Sequence, residues 1–229
     1  MKRTLQTVLV MSFAAMFLIS PVAAATSEGL EWGVALNDEF TFHYKIVEEG
    51  NTILDEGVNV TVDANPPTIY DPLTDWTMLS GVDISIVYTN GSLLGFETLY
   101  LLGLLLAGGH FVVPIGNFSL LSDLLMGSLF WNENSTIIND GSVWGVRTTG
   151  SDDEMTMQVN VHYLKADGFL SRYTLEALNT TNGIRSSVSL LRQGLGLDII
   201  GFIQDNILLV GIGVGVIVIL GAVVCIRRR

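Results

Sequence analysis

The chain has 229 residues and a formal net charge of −12. A charge this negative repels the phosphates of nucleic acid, so the composition excludes a nucleic-acid partner. The one cysteine, Cys225, excludes a disulfide framework, so burial and backbone pairing must stabilise the fold.

Residues 1–25 have the organisation of a secretory signal peptide. Two basic residues near the start precede an apolar run from Val8 to Ile19, and small residues follow up to Ala25. This order matches the charged start, apolar core and cleavage site of such signals. The apolar run is too short to span a bilayer comfortably, which predicts cleavage near Ala25.

Residues 26–196 form the predicted exported domain, and most of it alternates between apolar and polar residues. Alternation with a period of two is typical of strands that bury one face. We predict an α+β fold that is mainly antiparallel β, with about eight strands in a curled or sandwich-like sheet. The sheet packs on one or two apolar helices and is followed by a C-terminal transmembrane helix. The predicted strands cover 40–46, 58–62, 82–88, 129–138, 142–149, 155–163, 169–178 and 184–192.

The middle of the domain predicts helices instead. Residues 93–115 are strongly apolar but include Glu97, a Gly-Gly pair and Pro114, which are costly in lipid. We therefore predict a buried helix over 96–107 and a second short helix over 117–126. The first helix either fills a core or lines a cavity for an apolar ligand or lipid. Its candidate lining residues are Phe96, Leu101, Leu104 and Leu105.

Five of the thirteen asparagines begin an N-x-S/T sequon, where about two would be expected by chance. The excess favours a glycosylated exterior domain. A polar surface rich in Asn, Ser and Thr is the alternative. The candidate glycosylation sites are Asn59, Asn90, Asn117, Asn134 and Asn179.

The clearest segment is the predicted transmembrane helix, 207–226, which follows a linker over 197–206. Its twenty uncharged residues would span about 30 Å, the thickness of a bilayer core. The three arginines of the tail, 227–229, are predicted to lie in the cytoplasm, which places the domain outside the cell membrane. That exported part carries six basic and 23 acidic residues, a net charge of −17. Gly211 and Gly215 have the spacing of a helix–helix contact, so the anchor is a candidate for self-association as well as for lipid contact.

The sequence contains no recognisable catalytic, cofactor or metal-binding motif, which favours a non-enzymatic protein without a cofactor. The histidines are His43, His110 and His162, and none has a partner at helical spacing. Alternation places His43 and His162 on outward strand faces, where they would meet only if their strands were neighbours. The acidic run 152–154 is interpreted as a solvated turn rather than a calcium site.

Three stretches resemble uncharacterised, signal-bearing surface proteins of archaea: 29–42, 113–121 and the turn over 163–170. The terminal span followed by arginines is similar to the ends of many archaeal surface proteins. In some of those, a Pro-Gly-Phe signal directs removal of the span and its replacement by a lipid. This chain has Ile200-Gly201-Phe202, without the proline, so a permanent anchor is expected. The resemblance implies location more than activity.

Three hypotheses of function follow. The first is a membrane-anchored surface protein with a non-enzymatic interaction or envelope role, whose protein partner the sequence does not identify. The second is an apolar-ligand or lipid-binding domain built around 96–107. The third is a membrane-tethered hydrolase.

Overall fold

The computed structural model describes residues 25–94, 110–152 and 154–195. The chain divides into two compact units, Met1–Gln193 and Gly194–Arg229, and the fold below belongs to the first. The predicted signal segment up to residue 24, the predicted helix 96–107 and the predicted anchor 207–226 lie outside the described residues. Within those residues, no helix is both long enough and apolar enough to cross a membrane.

The predicted antiparallel β architecture is confirmed. All strands belong to one sheet with the order β3-β2-β1-β8-β7-β6-β5-β4, and every neighbouring pair is antiparallel. The described strands form this single sheet, so the sandwich-like alternative is wrong. Their bounds are β1 Glu39–Glu48, β2 Asn51–Val62, β3 Ile84–Tyr88, β4 Ser135–Asn139, β5 Val143–Ser151, β6 Met155–Leu164, β7 Leu170–Asn179 and β8 Arg185–Arg192.

The β1–β2 hairpin shows how local sequence sets the register. Glu49 and Gly50 have φ angles of 50° and 82°, so two residues in the left-handed region reverse the chain. Turns of this kind match the twist of the flanking strands. The predicted turn at 49–51 is therefore correct, but β2 begins at Asn51 rather than at residue 58.

One end of the sheet, here named the turn end, carries the β1–β2, β5–β6 and β7–β8 turns. Strand β8 runs away from this end, between β1 and β7, and finishes at Arg192. The first and last strands of the domain are therefore neighbours in the middle of the sheet. The edges are β3 and β4.

The inner face of the sheet carries the core. Phe42 and Tyr44 of β1 are fully buried, as are three alternate valines of β2. Segments outside the strands complete the same apolar cluster, with Trp76 from a short 3-10 helix and Leu121 from the α-helix among its members. The burial of aromatic rings stabilises this face, because each removes a large apolar area from water.

Helix α1, Phe118–Met126, confirms the second predicted helix. Asn117 caps its first turn by accepting a hydrogen bond from the backbone N–H of Leu120 at 3.1 Å. After the helix, the prediction of a strand from residue 129 is wrong, because residues 127–134 form a hydrogen-bonded loop and β4 begins at Ser135. Leu129 is 96% exposed in that loop.

Arg192 ends β8 on the inner face, where it binds the β6–β7 turn. Its guanidinium donates to the Asp167 carboxylate at 2.7 Å and lies 4.1 Å from the centre of the Phe40 ring. The Asp167 carboxylate also accepts from the backbone N–H of Phe169 at 2.9 Å. This group of contacts, here named the Arg192 clamp, joins β1, β8 and the turn between β6 and β7.

Candidate functional site

The outward face of the sheet is mostly polar and is a candidate surface for function. Residues paired across neighbouring strands lie on the same face. One row on this face contains His43, Leu191, Arg172 and His162, in the order of the strands. The next row contains Lys45, Ser189, Thr174, Asn160 and Arg147.

The two outward histidines are not brought together. Strands β8 and β7 lie between them, so they are three strand spacings, or about 14 Å, apart. The His43 side chain is 40% exposed, in agreement with its predicted position. His162 is half-buried, so the prediction that it faces solvent is only partly correct.

His43 and Lys45 share the carboxylate of Asp55 on the neighbouring strand. The distances are 2.5 Å from His43 Nε2 and 3.4 Å from Lys45 Nζ to the two carboxylate oxygens. The hydrogen bond with His43 is the main cause that lowers the pKa of Asp55. A catalytic dyad would need a nucleophile beside the imidazole, whereas this carboxylate also binds the Lys45 ammonium. The cluster is a cross-strand ion pair on an exposed surface.

Asn160 links three strands in the centre of the outward face. Its carbonyl oxygen accepts from Arg147 Nε at 2.7 Å, and its amide donates to the Thr174 hydroxyl at 3.0 Å. Asn160 is only 7% exposed, so these bonds satisfy a polar group that would otherwise be costly to bury. Hydrogen bonding therefore fixes the position of the Arg147 guanidinium.

Charge is unevenly distributed between this face and the rest of the described domain. The described residues include six basic and 19 acidic side chains. Four of the basic residues, Lys45, Arg147, Arg172 and Arg185, lie on the outward face, together with three acidic ones. The other two basic residues serve the fold: Arg192 binds Asp167, and Lys165 donates to the backbone carbonyl of Asp140. The outward face thus has a charge of +1 in a region whose total is −13.

The five sequon asparagines differ in exposure and in hydrogen bonding. Asn90 and Asn134 are exposed, while Asn59 and Asn179 are half-buried, and a side-chain oxygen of Asn179 accepts bonds that stabilise the β7–β8 turn. Asn117 differs, because its amide nitrogen donates to the Glu28 carbonyl at 2.9 Å while its oxygen caps α1. A glycan attaches through this nitrogen and would compete with the Glu28 contact. The structure therefore assigns Asn117 a structural role.

Replacing Asn117 by alanine is expected to lower the free energy of unfolding by about 1.5 kcal/mol, because the helix loses its cap and Glu28 loses a donor. Urea denaturation followed by tryptophan fluorescence measures this change. The control is Asn134→Ala in the exposed loop, which should change stability by less than about 0.5 kcal/mol. Equal effects of the two substitutions would contradict the structural role.

The inner face contains polar atoms that sequence reasoning did not find. The indole of Trp144 donates to Ser122 at 2.9 Å, and the Tyr163 hydroxyl donates to the His110 carbonyl at 2.7 Å. The Tyr173 hydroxyl and the indole nitrogen of Trp76 are equally buried but have no hydrogen-bond partner. Alternation can place a tyrosine on a buried face, but no sequence signal reports whether its hydroxyl is bonded.

Burial governs the titration of these inner groups. It lowers the pKa of His110 and raises the pKa of Tyr163. Burial also raises the pKa of Tyr173, to which the nearby Tyr44 adds a smaller effect of the same sign. The inner face therefore disfavours charge and keeps its hydroxyls as neutral donors.

The structure describes the acidic run at residues 152 and 154, but it does not describe the residues predicted to line a ligand site. In residues 25–94, 110–152 and 154–195, no group of three or more His, Cys, Asp or Glu side chains is placed to hold a metal ion. Asp152 accepts from the backbone N–H groups of Glu154 and Met155, as an acidic turn does. The predicted ligand-lining residues Phe96, Leu101, Leu104 and Leu105 lie outside the described residues, as do Gly211 and Gly215.

Comparisons of the chain with protein families, with curated proteins and with solved structures gave no match.

Proposed function

We propose that the chain is a non-enzymatic surface protein, anchored through 207–226, whose exported domain binds a partner with its outward sheet face. The observation that carries this proposal is the segregation of charge. An acidic domain that places four of its six described basic residues on one face is suited to a partner with a negative surface. Charge complementarity of this kind mainly gives specificity and fast association.

The chemistry of the face supports a protein partner. Hydroxyl and amide side chains separate the cations, and cross-strand bonds such as Arg147 to Asn160 hold them in place. Preorganised cations of this type pair well with carboxylates, because less side-chain entropy is lost on binding. We infer that the partner presents acidic side chains.

The sequon positions support an exterior location. Strand β8 leaves the sheet at Arg192, opposite the turn end, and the proposed anchor follows. Asn179 lies at the turn end, and the carbonyl of Asn134 accepts from Thr149, near the same end of β5. Glycans there would lie at the end of the sheet opposite Arg192, the last residue of β8.

Crosslinking in intact cells tests the partner. Lys45→Gln with Arg185→Gln removes two positive charges from the outward face and should reduce the yield of a specific crosslinked complex by roughly tenfold. Asn65→Asp with Thr68→Asp makes the same change in net charge off the face, at exposed positions, and should leave the yield unchanged. Equal losses in both variants, or the absence of any crosslinked partner, would refute an interaction role.

Glycosylation tests the location separately. In a host that modifies N-x-S/T sequons, Asn134→Gln and Asn179→Gln should each reduce the mass of the membrane-bound chain by one glycan. Asn117→Gln should leave the mass unchanged apart from the substitution, because that amide nitrogen is bonded within the fold. An unmodified chain that resists protease added outside the cell would contradict an exterior domain.

A further inference from the structure

We propose that the partner of the outward face is a second copy of this chain, which presents the acidic layer that residues 25–38, 64–80 and 110–126 form over its inner face. The inference rests on the proposed function, because it names the partner of the surface assigned there. The charges of two surfaces on opposite sides of one sheet carry it. Each copy would use its outward face toward one neighbour and its acidic layer toward another.

The acidic layer is the part of the domain that packs over the inner face of the sheet. Its apolar residues, such as Leu30 and Trp76, belong to the core cluster. The three segments contain no lysine or arginine, and their six acidic residues are Glu28, Glu31, Asp38, Asp71, Asp75 and Asp123. The layer therefore has a charge of −6, whereas the outward face of the same sheet has a charge of +1.

Three carboxylates of the acidic layer are exposed to a partner. Asp75 begins the 3-10 helix, Asp71 precedes it in the same segment, and Asp123 lies on α1, which packs beside that helix. Hydrogen bonds fix two of them, because the hydroxyl and backbone N–H of Ser27 donate to Asp71, and those of Thr77 donate to Asp75. These bonds lower the pKa of both carboxyls, so both stay charged in mildly acidic solution.

The two surfaces supply each other with the opposite charge. The side chains of Lys45 and Arg185 reach solvent on the outward face, and the acidic layer has no cation of its own to compete for its carboxylates. The described region as a whole is negative, but at physiological ionic strength the repulsion between copies is screened beyond about 8 Å. Charges closer than this distance decide the contact, and there the two surfaces attract.

The outward face is large enough for a stable contact. The six long strands from β2 to β5 are contiguous in the sheet and have between 8 and 12 residues each. At the usual strand spacing and rise, they form a surface of roughly 29 Å by 30 Å, or about 850 Å². A standard protein–protein interface buries about 800 Å² on each partner, so one sheet face meets this requirement.

Stacking by translation suits chains that share one membrane. The outward face and the acidic layer lie on opposite sides of the sheet, so one copy can be placed against the next without being turned. Every copy then keeps the C-terminal end of β8 on the same side, as a common anchorage through the proposed anchor requires. A contact between unlike surfaces that repeats in this way does not close, so it produces rows of copies.

Copurification of two differently tagged full-length chains from solubilised membranes tests the contact. Lys45→Gln with Arg185→Gln weakens the outward face, and Asp75→Asn with Asp123→Asn weakens the acidic layer while keeping an oxygen for Thr77. Either pair, present in both tagged copies, should reduce copurification by roughly tenfold. When one copy carries the first pair and the other copy carries the second, one native contact remains. Copurification should then return to within about twofold of the native level.

The matched control is Asn65→Asp with Thr68→Asp. It makes the same change in net charge as Lys45→Gln with Arg185→Gln but adds the charge at exposed positions of the acidic layer. This variant should copurify as well as the native chain, whereas general charge repulsion would lower its yield. Association through 207–226 contributes a constant background, since no substitution changes that segment. Recovery in the mixed pair also shows that both variants fold.

Three results would overturn the contact between copies. These are a mixed pair as weak as the two variants alone, a native yield from the aspartate variant alone, and native copurification no greater than that of the variants. A complex that depends on Lys45 and Arg185 but contains a different chain would exclude the second copy and leave the proposed function standing. The absence of any complex in either experiment would refute both.

Discussion

Replacing Gly145 by alanine is expected to destabilise the sheet domain by about 3 kcal/mol or more. A Cβ atom on this residue of β5 would lie 1.9 Å from the carbonyl oxygen of Val161 and 3.0 Å from the Cα of His162. Both are backbone atoms of the paired strand β6, so no side-chain rotation can relieve the clash. The strands would have to separate, and the loss would exceed that of an ordinary substitution.

Gly150→Ala is the matched control for this prediction. Gly150 lies on the same strand, and a Cβ atom there would meet nothing within 4 Å. Alanine at such a position should be neutral or slightly stabilising, because it reduces the freedom of the unfolded chain. Urea denaturation followed by the fluorescence of the four tryptophans measures both variants, since all four lie between residues 32 and 144. Similar midpoints for the two variants would show that the close β5–β6 approach is not required.

The second large effect concerns the Arg192 clamp. Arg192→Met is expected to cost about 2 kcal/mol, because it leaves the Asp167 carboxylate without its cation and removes the guanidinium from the Phe40 ring. The two charged side chains are 13% and 20% exposed, so the value should lie between those of surface and buried pairs. The free energy of unfolding from urea titration gives the cost.

A double-mutant cycle separates the parts of this clamp. Asp167→Asn keeps an oxygen for the Phe169 N–H while removing the charge, so the double variant with Arg192→Met should be more stable than the two single effects predict. Arg185→Met provides the control at an exposed site and should cost less than about 0.5 kcal/mol. Strict additivity of the two single substitutions would mean that Arg192 acts only through packing.

The strands were predictable because alternation reports burial directly. The pattern in β1, with Phe42 and Tyr44 against Thr41 and His43, is unambiguous, whereas β4, with Ser135 and Asn139 on its inner face, lacks such a pattern. The order of the strands was not predictable. Alternation states which face of a strand is buried but not which strand lies beside it, so the pairing of β1 with β8, far apart in the chain, has no local signal.

The sequence predicts the role of a site residue only where that residue has a single role. Asn117 carries both a sequon and a helix-cap pattern, and the contact that decides between them comes from Glu28, 89 residues away. Arg192 lies inward because of its register, although an arginine at a strand end would ordinarily be read as exposed. Whether the Tyr173 hydroxyl is hydrogen-bonded depends on every segment that packs over it. A local sequence pattern carries no information about those segments.

The central position of β8 has a mechanical consequence. Any tension applied to the chain beyond Gln193 enters the sheet through a strand that is bonded on both sides, to β1 and to β7. Pulling along that strand would load many hydrogen bonds in shear at once, whereas a strand at an edge could be peeled away one bond at a time. Arg192 lies at the end of β8 that would receive this force. Its contacts with Asp167 and Phe40 hold that end to the rest of the sheet domain. The sheet is therefore built to resist unfolding by a force that acts on the C-terminal end of β8.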